Sequence, residues 1–286
     1  MAPSISLDHT TPAVVPESNQ TPAAFAPAND LFSLAGRTVV ITGGGRGLGM
    51  TLTTAVLEAG GDVACLDLLP EPSPEEWVAV QKLAKSRGLQ ATYTKCDITD
   101  ETATKELLEK ISADALQRAM PMRGLITCAG IQQMVPALDY PVEGYRKMLD
   151  VNVLGTFIPA KHFSRILVEQ KAPGSIVMIA SMSGQIANRG LTCTAYNSSK
   201  AAVHQMCRSV AQEWGQHNIR YIRTAMTDAL LKEKPEVEET WMRGALLGRL
   251  GAPEDFKGPT IYMLTDASAW MTGADLRVDG GHCASA

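Results

Sequence analysis

No apolar run in this sequence approaches the roughly 18 residues that a bilayer-spanning helix needs, so no membrane partner is expected. Cysteine is sparse and scattered. Cys65, Cys96, Cys128, Cys193, Cys207 and Cys283 form neither a C-x-x-C pair nor a Cys/His ligand spacing. A disulfide scaffold and a structural zinc site are therefore excluded, no metal is expected, and a reducing compartment fits best. Positive charge is not in excess: 26 Lys and Arg stand against 30 Asp and Glu, for a net charge of −4. That balance removes any general electrostatic reason to bind nucleic acid or an anionic membrane. Residues 1–30 lack Lys and Arg altogether and carry Pro3, Pro12, Pro16, Pro22 and Pro27. Proline at that density blocks both helices and sheet ladders, so a flexible tail is expected. The tail has neither the arginines of an organellar presequence nor the basic start and apolar block of a secretory signal, which makes the cytoplasm the expected location.

The remainder is ordinary globular sequence, the whole chain being 45% apolar and 20% charged, and strands and helices alternate along it. Thr38–Thr42 is a short β-branched run of the kind buried on both faces of a sheet. A glycine-rich turn and a helix over 48–59 follow. Further strands are expected at 62–67, 92–96, 124–128, 175–180 and 274–278. Helices are expected at 75–86, from the cap at Thr99-Asp100 to about 118, at 142–170 and at 195–216. This order describes βαβ units: a single doubly wound α/β domain over 31–286, its parallel sheet flanked by helices.

Thr42-Gly43-Gly44-Gly45-Arg46-Gly47-Leu48-Gly49 lies between the first strand and the first helix. Glycines there let backbone amides approach a pyrophosphate, and a helix N-terminus favours its charge. Asp67 closes the second strand, where a carboxylate can accept hydrogen bonds from the adenosine ribose and repels a 2′-phosphate. Arg46 argues the other way, since a basic residue beside the turn can hold that phosphate. Asp67 outweighs it because its carboxylate would meet the phosphate directly, so NAD is expected over NADP.

At the other end of the site, Ser183, Tyr196 and Lys200 have the spacing S-x12-Y-x3-K. Tyr196 and Lys200 are four apart on a predicted helix and share a face. An ammonium beside a phenol stabilises the phenolate, lowering the tyrosine from its usual value of about 10 toward working pH. Ser183, after the fifth predicted strand, can hydrogen-bond a substrate oxygen where negative charge develops.

The turn spacing G-x-x-x-G-x-G from Gly43, Gly47 and Gly49, together with Ser183, Tyr196 and Lys200, resembles the short-chain dehydrogenase/reductase family. The likeness runs from Leu34 to His282 and includes the closing Val278-Asp279-Gly280-Gly281. It implies a Rossmann fold, with Asp97 and Ile98 lining the adenine pocket and Ala129-Gly130 letting the cofactor lie against the fourth strand. It also implies that Tyr196, Lys200 and Thr224 contact the cofactor and that Asn152 holds a water linking Lys200 to solvent. Thr127-Cys128 stands where the family has two asparagines; Cys128 is read as a packed residue. Within the family the chain is most similar to fungal polyol and ketose reductases. Three segments carry this: 31–37, Tyr196-Asn197-Ser198-Ser199-Lys200-Ala201-Ala202 and Arg249-Leu250-Gly251-Ala252-Pro253-Glu254. The resemblance implies a secondary alcohol or ketone as substrate and a homotetramer paired through the helices at 142–170 and 195–216. Val203, Met206 and Val210 on the second of these fit either the interface or the core.

One part of the family pattern is missing. Between Arg220 and Tyr221 about seven residues are absent, a deficit near 20 Å of extended chain. They would form most of the sixth strand and a Pro-Gly loop beside the nicotinamide, so both are expected to be truncated. Either the preceding helix unwinds to supply a strand, or the strand is omitted and Thr224 is displaced. The leading function is an NAD-dependent oxidoreductase acting on a polyol or ketose. The alternatives are an NADPH-dependent ketoreductase of secondary metabolism or of acyl carriers, and a weakly active dinucleotide-binding subunit.

Overall fold

The computed structural model describes residues 27–225 and 244–285. Most of the expected tail and the segment following the sixth strand lie outside the described residues. At the end of the expected tail Ala28–Phe32 forms a 3-10 turn. Seven parallel strands then make one sheet in the order β3-β2-β1-β4-β5-β6-β7. The strands are β1 Thr38–Thr42, β2 Asp62–Asp67, β3 Ala91–Lys95, β4 Met122–Thr127, β5 Gly174–Ile179, β6 Ile219–Ala225 and β7 Ala274–Arg277. The helices are α1 Gly47–Glu58, α2 Pro74–Ser86, α3 Glu101–Gln117, α4 Val142–Leu149, α5 Gly155–Glu169, α6 Thr194–Trp214 and α7 Lys257–Leu264.

Every residue of β1 is buried, as a strand covered on both faces requires. Side chains alternate between faces along a strand, and β1 shows it. Val40 joins one core with Leu125, Phe163, Met178 and Val203, while Val39 and Ile41 join a second with Leu52, Val56, Val177 and Met263. Val203 and Val210 are buried in the first core and Met206 packs against it, so the apolar face of α6 is used within the domain. Asp100 caps α3 as its sequence position implies, accepting the Ala103 N–H at 3.0 Å. The stretch expected as one helix over 142–170 is instead α4 and α5 joined by a π turn at Asp150–Leu154, with Asn152 fully buried inside it.

The sixth strand is not truncated, which corrects the sequence expectation. Ile219 to Thr224 pair with Gly174 to Ile179 of β5, and Ile222 to Ala225 pair with Ala274 to Arg277 of β7. Neither escape route is taken. α6 runs on to Trp214, and after a short 3-10 turn Asn218, at φ 60°, turns the chain straight into the strand. Tyr221-Ile222-Arg223-Thr224 thus fill the ladder that the family pattern assigns to other residues. The reason is physical: β5 and β7 would otherwise face each other with unpaired backbone groups, and Tyr, Ile and Thr are good strand formers. Tyr221 is fully buried, hydrogen-bonds Ser164 through its hydroxyl at 2.7 Å and meets Trp214 edge-on. The expected Pro-Gly loop position falls after Ala225, outside the described residues.

Candidate active site

The candidate residues gather at the carboxyl ends of β1, β2, β4 and β5. At β1 the chain leaves the sheet through Gly43, whose φ of +72° suits glycine. Gly43 and Gly44 both donate their N–H to the Leu66 carbonyl, at 2.7 and 3.2 Å. A side chain at Gly43 would lie 2.7 Å from the Ala129 backbone, and one at Gly49 would strike the Gly43 carbonyl at 1.9 Å. The turn is therefore compact, and it delivers Gly47, Leu48 and Gly49 into the first turn of α1. Leu48 turns its side chain into the core, which leaves its backbone as the only group it can offer a ligand. Arg46 is exposed at the N-cap, where its carbonyl accepts the Met50 N–H at 3.4 Å and its side chain makes no cap hydrogen bond.

Asp67 ends β2 beside this turn. Its Oδ2 accepts the Gly45 N–H at 2.9 Å and its Oδ1 accepts the Leu69 N–H at 3.1 Å. Asp97 is exposed and closes its own turn, Oδ1 accepting the backbone N–H and the hydroxyl of Thr99 at 2.9 and 2.7 Å. Ile98 is buried against Gly155, where an added Cβ would come within 2.6 Å of its Cδ1. At β4, Ala129 donates its N–H to Thr42 Oγ1 at 3.3 Å. A Cβ on Gly130 would lie 3.2 Å from Asn152 Oδ1 and 3.7 Å from Lys200 Nζ, so this glycine borders the catalytic group.

Asn152 Oδ1 accepts the Ile131 N–H at 2.9 Å; its amide nitrogen donates to the Ile131 carbonyl and to Ser199 Oγ, each at 3.0 Å. It locks the end of β4 to α6, beside Lys200. The Tyr196 ring lies 5.7 Å from Lys200 Nζ, which donates to the Ile179 carbonyl at 2.9 Å. Ser183 is buried in a 3-10 turn after β5, and its Oγ accepts from the Asn188 amide at 2.6 Å. Thr224, by contrast, sits inside the β6 ladder, its carbonyl accepting the Ala180 N–H at 2.8 Å. Its hydroxyl is buried with no hydrogen-bond partner among the described residues. Asn188 and Ser199 were not legible in the sequence, because a single polar residue in a loop or helix carries no periodic signal.

Burial pushes the Lys200 ammonium down to about 8, partly opposed by Cys128. In the folded chain the proton leaves near pH 8, whereas the unfolded chain holds it to about 10.5. The cost of burying this charge is thus fully present below pH 8 and is relieved as pH rises through that window. Relative to Lys200→Met, the parent should gain about 2 kcal/mol of stability between pH 7 and 9.5. Urea unfolding of both proteins at the two pH values checks this.

A glycine turn opening a helix, a carboxylate at the second strand end and a tyrosine–lysine pair beside a buried serine define an oxidoreductase that works with a nicotinamide dinucleotide. The residues fit that group: a side chain at Gly43 or Gly49 would strike neighbouring backbone, so the chain passes there without a Cβ, and the N-terminus of α1 follows directly. Residues 43–282 match the family described as Enoyl-(Acyl carrier protein) reductase, adh_short_C2. The chain is 44% identical to the short chain dehydrogenases/reductase notP' of Aspergillus versicolor, over 89% of this chain and 90% of that protein. It is 33% identical to D-arabinitol 2-dehydrogenase (ribulose-forming) of Candida tropicalis, over 88% and 94%. Among solved structures, the NADPH-dependent 3-quinuclidinone reductase of Rhodotorula rubra superposes with a TM-score of 0.84 at 34% identity, covering 94% of this chain and 99% of that one. The chain belongs to the short-chain dehydrogenase/reductase family. It interconverts a secondary alcohol and a ketone by hydride transfer with a nicotinamide cofactor. No helix among the described residues is long and apolar enough to cross a membrane.

Proposed function

We propose that the chain is an NAD-preferring dehydrogenase of a polyol or ketose. The observation that carries this is the buried Lys200 beside the Tyr196 ring, next to Ser183, with Asp67 at the other end of the same strand edge. Gly43, Gly47, Leu48 and Gly49 hold the pyrophosphate through their backbone. Asp67 takes the adenosine ribose, with Arg46 at its rim. Asp97 and Ile98 flank the adenine, and Ala129 and Gly130 form the floor. The nicotinamide, when bound, supplies or accepts the hydride. Tyr196 moves the proton at the substrate oxygen, and Lys200 favours its phenolate. The Ser183 hydroxyl, which accepts from Asn188 through a lone pair, keeps its own proton to donate to that oxygen. Asn152 is the relay position behind Lys200, and Thr224 holds the strand end from which the nicotinamide side is built. Similarity to an arabinitol dehydrogenase supports the substrate class. The cytoplasm is the proposed location and a homotetramer the proposed assembly, with Leu138, Val142 and Leu154 as exposed apolar residues at the edge of α4 and α5.

The test is turnover of purified protein with NAD and NADP on a panel of polyols and ketones. Asp67→Ser should relax the preference for NAD at least tenfold, read as the ratio of kcat/KM for the two cofactors; a bidentate pair of hydroxyl contacts and a repelled phosphate are worth about that much. A parent enzyme that prefers NADPH would overturn the role of Asp67. It would favour the second reading, a ketoreductase, which the exposed Arg46 and the similarity to an NADPH-dependent reductase support.

A further inference from the structure

The turn that presents Ser183 is held from behind by a polar network that takes no part in the steps above. Ser181 Oγ accepts the Ser183 N–H at 3.1 Å, and the Ser181 carbonyl accepts from His204 Nε2 at 2.9 Å. A carbonyl can only accept, so Nε2 carries the proton. His204 follows Lys200 by four residues on α6 and therefore shares its face. It is 4% exposed. A Cβ on Gly184 would lie 2.6 Å from His204 Cδ2, so imidazole and turn are in direct contact.

His204 is itself fixed by a buried ion pair. Arg223 Nη1 donates to the His204 carbonyl at 2.6 Å, and Nη2 donates to Asp275 Oδ2 at 3.1 Å. The same carboxylate oxygen lies 3.8 Å from His204 Nδ1 and accepts from Gln185, immediately after the turn. Arg223 is 3% exposed, on the strand paired with the edge strand β7. Burying a guanidinium carries a desolvation penalty that its partner only partly offsets, and an apolar residue would hold a strand there at lower cost. What the charged pair adds is direction: among the described residues its side-chain contacts lead to His204 on α6, four residues from Lys200, and to Gln185, two residues after Ser183.

We propose that His204, braced by Arg223 and Asp275, is a positioning residue that sets the orientation of Ser183 toward the substrate oxygen. The proposal rests on the role given to Ser183 above. It is tested by a double-mutant cycle on the intact chain with Ser183→Ala, His204→Phe and the combination, plus His204→Gln. The substrate is the polyol of the panel that turns over fastest, and cofactor affinity is measured in parallel by calorimetry with NAD. His204→Phe should lower kcat about tenfold with the NAD Kd little changed, because a small misplacement acts on chemistry rather than on the distant adenosine end. His204→Gln, whose amide N–H can reach the Ser181 carbonyl, should recover most of that loss. In the Ser183→Ala background, His204→Phe should cost nothing further, since residues acting as a unit are not additive. His204→Asn, too short to reach the carbonyl but free of apolar bulk, runs the same cycle if the Phe variant does not fold. Losses that multiply in the double variant overturn the proposal alone. A Ser183→Ala enzyme as fast as the parent overturns the role of Ser183 and the proposal with it.

Discussion

Tyr196→Phe should lower kcat by about a hundredfold or more while NAD binds nearly as well as to the parent. The substitution keeps the ring that packs beside Lys200 and removes only the hydroxyl. Without it no side chain of the trio can both give and take a proton at the substrate oxygen: Ser183 is a poor acid, and Lys200 is turned to the Ile179 carbonyl. The nucleotide end stands on β1, α1 and β2, whereas Tyr196 belongs to α6. Steady-state kinetics with the best polyol, alongside calorimetric titration of NAD, separate the two effects. Activity that survives nearly intact would sink the assignment of Tyr196. Equal loss of binding and turnover would mean that the hydroxyl acts through cofactor binding and not through proton transfer.

Much of this site was readable because its signals are local. β1 and β2 fall at the residues expected, since each is a short run with an apolar centre, closed by the glycine turn or by Asp67. Tyr196 and Lys200 needed only the period of a helix. Where the reading failed, the deciding interaction was long-range. α7 went unread because Gly258 and Pro259 stand in its first turn, and both residues speak against a helix when neighbours are unknown. The π turn at Asp150–Leu154 nearly preserves the helical period, so nothing in the spacing separates α4 from α5. His204 did carry a signal: a polar residue four and eight positions from Lys200 and Tyr196 lies on the buried face. Arg223 carried a misleading one. A charged residue argues against an interior strand until Asp275, 52 positions away, is known to meet it.

The largest effect on stability is expected from lengthening the chain where it looked too short. If the sixth strand were truncated, inserting Val-Asn-Ser-Ile-Ser-Pro-Gly between Arg220 and Tyr221 would raise both kcat and Tm. The structure reverses that expectation. The inserted Val-Asn-Ser-Ile would occupy the ladder positions now held by Tyr221 to Thr224 and carry the native residues out of the sheet. Ser164 would lose the Tyr221 hydroxyl, Trp214 would lose its edge-on neighbour, and a serine would replace Arg223 opposite Asp275. Leaving one member of a buried ion pair behind costs about 3–5 kcal/mol. For a domain of this size each kcal/mol moves Tm by about 2–4 °C, so Tm should fall by roughly 10 °C. The same insertion with Asp275→Leu, which removes the stranded carboxylate, should recover part of the loss. Calorimetric melting of the three proteins decides it. A lengthened chain that melts above the parent would mean that Ile219–Ala225 is not the strand the protein uses, and that the gap between Arg220 and Tyr221 is a true defect.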